Sequence, residues 1–517
     1  MGCTVAIDAG TTGVRALAVD ESGTITDLSY RELTQHFPRP GWVEHDPTEI
    51  WDAVRATLTD VAGRLVASGT AVAAIGITNQ RETAVAWDRR TGRPLAPAIV
   101  WQDRRTADHC DRLADAGYLP LVRDRTGLVL DPYFSATKYA WLLTDGGITG
   151  PGAGRGNGVD LALGTVDSWA LWNLTGGPRR GVFATDPTNA SRTLLYDIGR
   201  REWSDELCAL FDVPRRALAV VRPSCGRLGS VDPDAVGGPS TDVARQLGGV
   251  PVSGIAGDQQ AALFGQACFD PGMAKVTYGT GSFVLVNAGP TRPSTPDGLL
   301  VTVAWDLGEH GDDRGPVAYA LEGSTFVSGA AVQWLRDGLG LIERADELGP
   351  LAESVTDSGG VVVVPAFTGL GSPWWDPRAR GIVTGLTRGA GRPQVARATV
   401  EAMAFQVRDM MTAMTEATGQ PLRQLRADGG AAAMDLLLQL QADQLRAPVV
   451  RPRVVESTAL GAATLAGLAE GVWGSLDDVA GQWQPDTERA PEVDEVWVDL
   501  AYAAWQRAVE RSRGWAD

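Results

Sequence analysis

Asp8-Ala-Gly10-Thr11-Thr12-Gly13 and Tyr278-Gly279-Thr280-Gly281-Ser282 are two short glycine-threonine turns in opposite halves of the chain. Each lies between runs that read as strands. Thr4 to Ile7 and Ala16 to Val19 flank the first, and Val276 to Tyr278 and Phe283 to Val286 flank the second. A strand, a Gly-Thr turn and a second strand make a hairpin with backbone N–H groups at its tip. Glycine lets an anion approach that backbone and threonine hydroxyls add donors. Two such hairpins point to an enzyme that holds nucleotide phosphates in a cleft between two related domains.

The bulk of the chain agrees with two domains. At 517 residues it is too long for one ordinary core. A hydrophobic content of 44% and a charged content of 21% are those of a globular protein. The net charge of −17 argues against nucleic acid as a main partner. Five cysteines without a Cys-x-x-Cys pair, and four histidines without metal-ligand spacing, read as buried thiols and structural imidazoles rather than a zinc site. No signal peptide and no membrane-length apolar run is apparent, so a cytoplasmic location is expected. Lys138 and Lys275 are the only lysines, and neither follows a glycine. A Walker A loop is therefore absent, and any phosphates must be cradled by backbone and hydroxyl groups.

Along the first half, strands and helices alternate. Trp51 to Ala67 has helical spacing and Val72 to Ile77 reads as a strand leading into Thr78-Asn-Gln-Arg-Glu-Thr83. Gly146 to Gly158 reads as an exposed loop, and Gly226 to Gly249 as a loosely ordered approach to the domain junction. Pro251 to Ala256 is a predicted strand, after which Gly257-Asp258-Gln259-Gln260 opens a helix. The second half carries its own hairpin, a buried strand at Val361 to Pro365, and helices over Gln394 to Ala417, Ala433 to Gln444 and Ala459 to Leu468. The halves resemble one another in architecture, without a residue-level repeat. The division expected is 1–254 and 255–517.

Several residues have the chemistry that phosphoryl transfer to an alcohol requires. Asp258, at a strand-to-helix turn, fits either a general base or a helix cap. Asp8 fits a metal-linked carboxylate or an Asx turn. Arg81-Glu82 can bind vicinal hydroxyls, one donating and one accepting, or form a surface ion pair. Trp101, Tyr133 and Phe283 are candidate walls for a small polyol, or ordinary core aromatics. Asp428-Gly-Gly-Ala-Ala-Ala433 is a small-residue turn that fits a flat adenine and ribose, or tight helix packing.

Longer segments carry a resemblance. They include Pro40-Gly-Trp-Val-Glu-His-Asp-Pro47, Gly76-Ile-Thr-Asn-Gln-Arg-Glu-Thr83, Ala98-Ile-Val-Trp-Gln102, Gly127-Leu-Val-Leu-Asp-Pro-Tyr-Phe-Ser135 and Ser253-Gly-Ile-Ala-Gly-Asp-Gln-Gln260. Ala320-Leu-Glu-Gly323, Pro365-Ala-Phe-Thr-Gly-Leu-Gly371 and Gly385-Leu-Thr-Arg-Gly389 continue the series. Together they resemble the glycerol kinases of the FGGY carbohydrate kinase family over nearly the whole chain. The resemblance implies an α/β, two-domain ribonuclease H-like (actin-like ATPase) fold with the active site in the interdomain cleft. It implies an ATP- and Mg²⁺-dependent kinase acting on glycerol, with Asp258 as general base. Arg81, Glu82, Tyr133 and Gln259 would bind the hydroxyls, and Trp101 and Phe283 would line the carbon edge. Thr11, Thr12, Gly13, Arg15 and Thr280 would meet the phosphates, and Gly329, Gln333, Gly430 and Ala431 the rest of the nucleotide. Asp8, with Asp258, would hold Mg²⁺ through water. A homo-oligomer, dimer or tetramer, is also implied.

The departures from the resemblance are local. Ala9 and Gly13 stand where glycerol kinases carry Gln and Ser, and Met434 stands where an Asn contacts the nucleotide. Val236 to Asp242 lacks the Arg of a fructose 1,6-bisphosphate loop, so no such inhibition is expected. Three other readings remain open on sequence: an FGGY kinase for a related polyol or ketose, an actin-like or chaperone-like ATPase, and a weakly active paralogue.

Overall fold

A computed structural model describes residues 2–148, 159–312 and 315–516. Most of the loop expected over 146–158 therefore lies outside the described residues. Two mixed sheets organise the chain. The first contains β1 (Gly2–Ala9), β2 (Gly13–Val19), β3 (Ile25–Glu32), β4 (Ala71–Asn79), β5 (Cys225–Ser230) and β6 (Pro251–Gly257), in the order β5-β6-β4-β1-β2-β3. β1, β4 and β6 are parallel, while β2, β3 and β5 run against their neighbours.

The second sheet contains β7 (Met273–Tyr278), β8 (Ser282–Gly289), β9 (Leu300–Asp306), β10 (Val317–Thr325), β11 (Gln424–Asp428), β12 (Val449–Pro452) and β13 (Pro485–Arg489). Their order is β9-β10-β8-β7-β11-β12-β13. Apart from the added β9, this repeats the first plan: a hairpin from the central strand, an antiparallel strand beyond it, parallel strands on the other side, and an antiparallel edge. Both Gly-Thr turns are the tips of the corresponding hairpins, with Ala9 opposite Val14 and Tyr278 opposite Ser282.

Helices cover the sheets. α1 (Pro47–Ser68) starts at Asp46, whose side chain accepts from the Thr48 N–H, and ends at Gly69 in the left-handed region. Its buried face, from Ile50 to Leu65, joins the core of the first sheet. α2 (Asp258–Gly265) follows β6 directly. α3 (Arg392–Thr418) and α4 (Asp435–Leu445) pack on the second sheet. α5 (Ser457–Ala469) comes late in the chain yet crosses the first sheet. A Cβ on Gly76 of β4 would lie 2.0 Å from the Ala462 carbonyl, and one on Gly254 of β6 would lie 2.6 Å from the Ala466 nitrogen. Glycine at those two positions is what lets the helix backbone settle on the sheet.

One expectation fails. Gly226 to Gly249 is ordered: it holds most of β5, a short 3₁₀ turn at Pro233–Val236 and a helix at Asp242–Leu247. Asp232 and Thr241 cap the two turns, while Leu228, Val236, Ala244 and Leu247 enter the core. The glycines supply turns between packed residues.

Candidate active site

The candidate residues converge because they follow the carboxyl ends of the parallel strands, where ligands bind in open α/β sheets. Asp8 to Gly13 follows β1, Gln80 to Glu82 follows β4 and Asp258 follows β6. Tyr278 to Ser282 follows β7, and Asp428 to Ala431 follows β11.

Arg81 is the centre of the first cluster and is 2% exposed, so it forms no surface ion pair. Its Nη1 and Nη2 grip the Glu322 carboxylate at 2.6 and 3.0 Å. Nη1 also donates to Gln260 Oε1 at 3.1 Å, and Nη2 to the Tyr133 hydroxyl at 3.3 Å. Those bonds occupy four of the five guanidinium N–H groups. The remaining nitrogen, Nε, stands 3.1 Å from Asp258 Oδ1. Arg192, fully buried, spans Glu82 Oε1 at 2.6 Å and Glu322 Oε1 at 2.9 Å. Two guanidinium groups and two carboxylates thus neutralise one another out of water. Burial alone would raise Glu322, but Arg192 and Arg81 outweigh it and hold the carboxyl down at about 2. Glu82 is raised by burial in spite of the same two arginines.

Glu82 has φ 61°, and the Thr83 N–H donates to the Arg81 carbonyl at 2.8 Å across it. A three-residue turn with a non-glycine centre in the left-handed region is strained, and such strain accompanies functional positions. The turn points successive side chains, Arg81 and Glu82, into the same cluster.

Asp258 is the first residue of α2, with Gly257 as the cap, so its carboxylate is not the helix cap. Oδ1 accepts from the Gln259 N–H at 2.7 Å, and the side chain keeps 31% of its surface open. Burial raises its pKa, partly offset by Arg81. Lys275, on β7, reaches across from the second sheet. Its Nζ donates to Gln259 Oε1 and, at 2.9 Å, to Thr277 Oγ1. Burial lowers this amine to about 8, with Asp428 and Asp258 pulling the other way.

At the first turn, Trp101 Nε1 donates to Thr11 Oγ1 at 2.9 Å, and the Trp101 and Tyr133 rings meet edge to face at 5.6 Å. The aromatic pair thereby links the Thr11 turn to Arg81. Gln80 adds a second link, its Nε2 donating to the Gly10 carbonyl at 3.1 Å. Asp8 is buried and raised to about 7, chiefly by burial, with Arg15 opposing and Asp258 adding to the rise. Arg15 lies 3.8 Å from Asp8 and 2.5 Å from Glu456, tying the first turn to the residue that precedes α5.

The second turn is built equally tightly. The Gly279 and Thr280 carbonyls accept from Gly329, Ser328 and Ala330 N–H groups at 2.8 to 3.0 Å. Gly429, at φ 87°, lies against Tyr278, where a Cβ would approach the carbonyl oxygen to 2.5 Å. Thr280, Gly329, Gly430 and Ala431 are accordingly gathered at one end of the second sheet, and Gln333 stands exposed on the short helix Gly329–Gln333. Phe283 stands opposite Thr277 in register, part-exposed, one contact away from Lys275. Asp428 accepts from Gln266 Nε2 at 2.8 Å and from the Ser457 hydroxyl.

A cleft with paired glycine-threonine turns, a buried Arg-Glu cluster and one part-exposed carboxylate fits a small-molecule kinase, and comparison agrees. Residues 3–265 match the N-terminal domain, and residues 274–470 the C-terminal domain, of the FGGY family of carbohydrate kinases. The chain belongs to that family. Its fold is the two-domain FGGY kinase fold, of the actin-like ATPase type. This FGGY kinase is 52% identical to a glycerol kinase of Trichlorobacter lovleyi, with 100% of both chains covered. It is 50% identical to one of Bordetella parapertussis, with 99% and 97% covered. The solved glycerol kinase of Plasmodium falciparum with ADP superposes at a TM-score of 0.90, with 33% identity over 99% of this chain and 98% of that one. A xylulose kinase of Lactobacillus acidophilus, 20% identical with a TM-score of 0.84, shares the fold.

Among the residues of this kinase's cleft, Glu322, Arg192 and Lys275 carry no role in the sequence reading. Glu322 gave a signal, as a charged residue directly after the apolar run Val317 to Leu321 of β10. A buried carboxylate in a central strand needs a partner. Lys275 gave the same signal in β7.

Proposed function

We propose that this FGGY kinase transfers the γ-phosphoryl group of ATP to glycerol, giving sn-glycerol 3-phosphate and ADP. The observation that carries this reading is the Arg81 Nε–Asp258 Oδ1 ion pair, 3.1 Å long, beside Glu82 and Tyr133. It sets a donor, an acceptor and a candidate base side by side, as adjacent hydroxyls require. The whole-chain likeness to glycerol kinases supports the same acceptor. A chaperone-like ATPase has no use for such a cluster.

In this reading Asp258 accepts the proton of a terminal hydroxyl as its oxygen attacks the γ-phosphorus, and the bond to the ADP oxygen breaks. Arg81 and Glu82 hold the hydroxyls, with Tyr133 and Gln259 beside them. Trp101 and Phe283 border the carbon chain. The turn of Thr11, Thr12, Gly13 and Arg15 holds the terminal phosphates from one side and Thr280 from the other. Gly329, Gln333, Gly430 and Ala431 receive the nucleoside end.

No group of three metal-ligating side chains gathers among the described residues. Asp8 and Asp258 end strands that are separated only by β4, roughly 10 Å apart by strand spacing. Two carboxylates and no protein cage fit Mg²⁺, which keeps its waters and binds substrate phosphates. Bound there, it would neutralise phosphate charge.

The domains are read as 1–254, carrying the polyol cluster and first phosphate turn, and 255–517, carrying the base and nucleotide turns. An exposed apolar row at Val493, Val496, Trp497 and Leu500 supports a homo-oligomer of two or four chains. No described helix is long and apolar enough to cross a membrane, and five free cysteines fit a reducing cytoplasm. The test is ADP release by the purified enzyme with and without glycerol, with the product read by ³¹P NMR. Glycerol-dependent release and a phosphomonoester on a terminal carbon are expected. ADP release indifferent to glycerol would refute the assignment.

A further inference from the structure

Tyr30 sits outside the cleft yet completes the first Gly-Thr turn. It lies on β3 opposite Arg15 and is 42% exposed. Its hydroxyl donates to the Thr12 carbonyl at 3.2 Å, and the Leu33 N–H donates to the same oxygen at 3.0 Å. A Cβ on Gly13 would lie 2.4 Å from the Tyr30 ring edge and hydroxyl, so the ring fills the space of any side chain at residue 13. The Arg15 guanidinium stands 5.8 Å from the ring centroid.

The Thr12 carbonyl and the Gly13 N–H belong to one trans peptide and point in opposite directions. Two donors on the carbonyl fix that plane. The Gly10 N–H donates to the Gly13 carbonyl at 3.0 Å, while the Gly13 N–H, opposite the Thr12 carbonyl in its peptide, points away from β3 toward β1. It is left directed into the mouth of the hairpin, where an anion would take it.

We propose that Tyr30 is a positioning residue for the terminal phosphate of the nucleotide: it pins the Thr12 carbonyl so that the Gly13 N–H stays aimed at that phosphate, and its ring replaces a side chain at residue 13. The proposal rests on reading the first turn as a phosphate site. Tyr30 itself does not touch the substrate.

Steady-state kinetics of the full-length enzyme test it. Tyr30→Phe removes one hydrogen bond and keeps the ring, so KM for MgATP rises about three- to tenfold while KM for glycerol and kcat stay within about twofold. Gly13→Ser raises KM for MgATP in the native background and is relieved when combined with Tyr30→Ala, a non-additive pair. Thr11→Ala and Thr12→Ala are run alongside. If they weaken ATP use while Tyr30→Phe does not, or if Gly13→Ser and Tyr30→Ala act additively, the role of Tyr30 is overturned. If the threonine variants also leave ATP use unchanged, the turn is not a phosphate site and the underlying reading fails with it.

Discussion

Replacing Asp258 by Asn isolates proton transfer from everything else the residue does. The native carboxylate makes two contacts through Oδ1: it accepts from the Gln259 N–H at 2.7 Å and faces Arg81 Nε at 3.1 Å. The amide oxygen of Asn preserves both as an acceptor. What disappears is the charge and the ability to take a proton. The lost charge is one that burial already disfavours, since the Asp258 pKa is raised. Thermal stability is therefore expected to hold or rise slightly. General bases contribute about 10²–10⁴-fold. Phosphoryl transfer through a loose transition state asks little of the nucleophile, which favours the lower end, about 10²-fold in kcat. KM values for glycerol and MgATP should stay within about threefold, because the Arg81–Glu82 cluster and both turns are untouched. A coupled assay for ADP, with a parallel thermal melt, reads all of this. A kcat near the native value refutes the base assignment, and a loss of activity matched by a loss of stability refutes the separation of roles.

Glu322→Gln leaves Arg81 with Asp258 and Arg192 with Glu82 but removes the carboxylate that joins the two arginines; breaking a buried pair costs about 3–5 kcal/mol, so a lower melting temperature and a raised KM for glycerol are expected together. Activity is expected to follow a bell in pH. Asp258, raised by burial, must be ionised, so activity is lost as pH falls through its pKa; Lys275, lowered to about 8, loses its charge and its hold on Gln259 as pH rises past that value. Lys275→Met should erase the alkaline limb of a kcat/KM profile and leave the acid limb in place.

The fold was legible because its decisive features are local. A Gly-Thr tip between two apolar strands specifies a hairpin whatever surrounds it, and helices such as Arg392–Thr418 announce themselves by period. Arg81, Glu82 and Asp258 could be placed as candidates for the same reason, since each ends a strand. What local sequence could not separate was cap from base, or surface pair from buried cluster. That choice depends on burial, and burial depends on β10 and Arg192 arriving from distant parts of the chain. Glu322 and Arg192 were missed on that account. Gly226 to Gly249 was misjudged because glycine and proline mark turns without telling whether the residues between them pack. Gly13 reads in sequence as a lost side chain; only the position of Tyr30 explains why none fits.

Central to the proposed function is that the site around the Arg81–Asp258 ion pair takes glycerol. Ranking kcat/KM with MgATP across glycerol, dihydroxyacetone, erythritol and xylulose tests it most directly. The site described here gives glycerol the highest value, lost in Arg81→Ala and Asp258→Asn alike. A four- or five-carbon acceptor preferred over glycerol would contradict it.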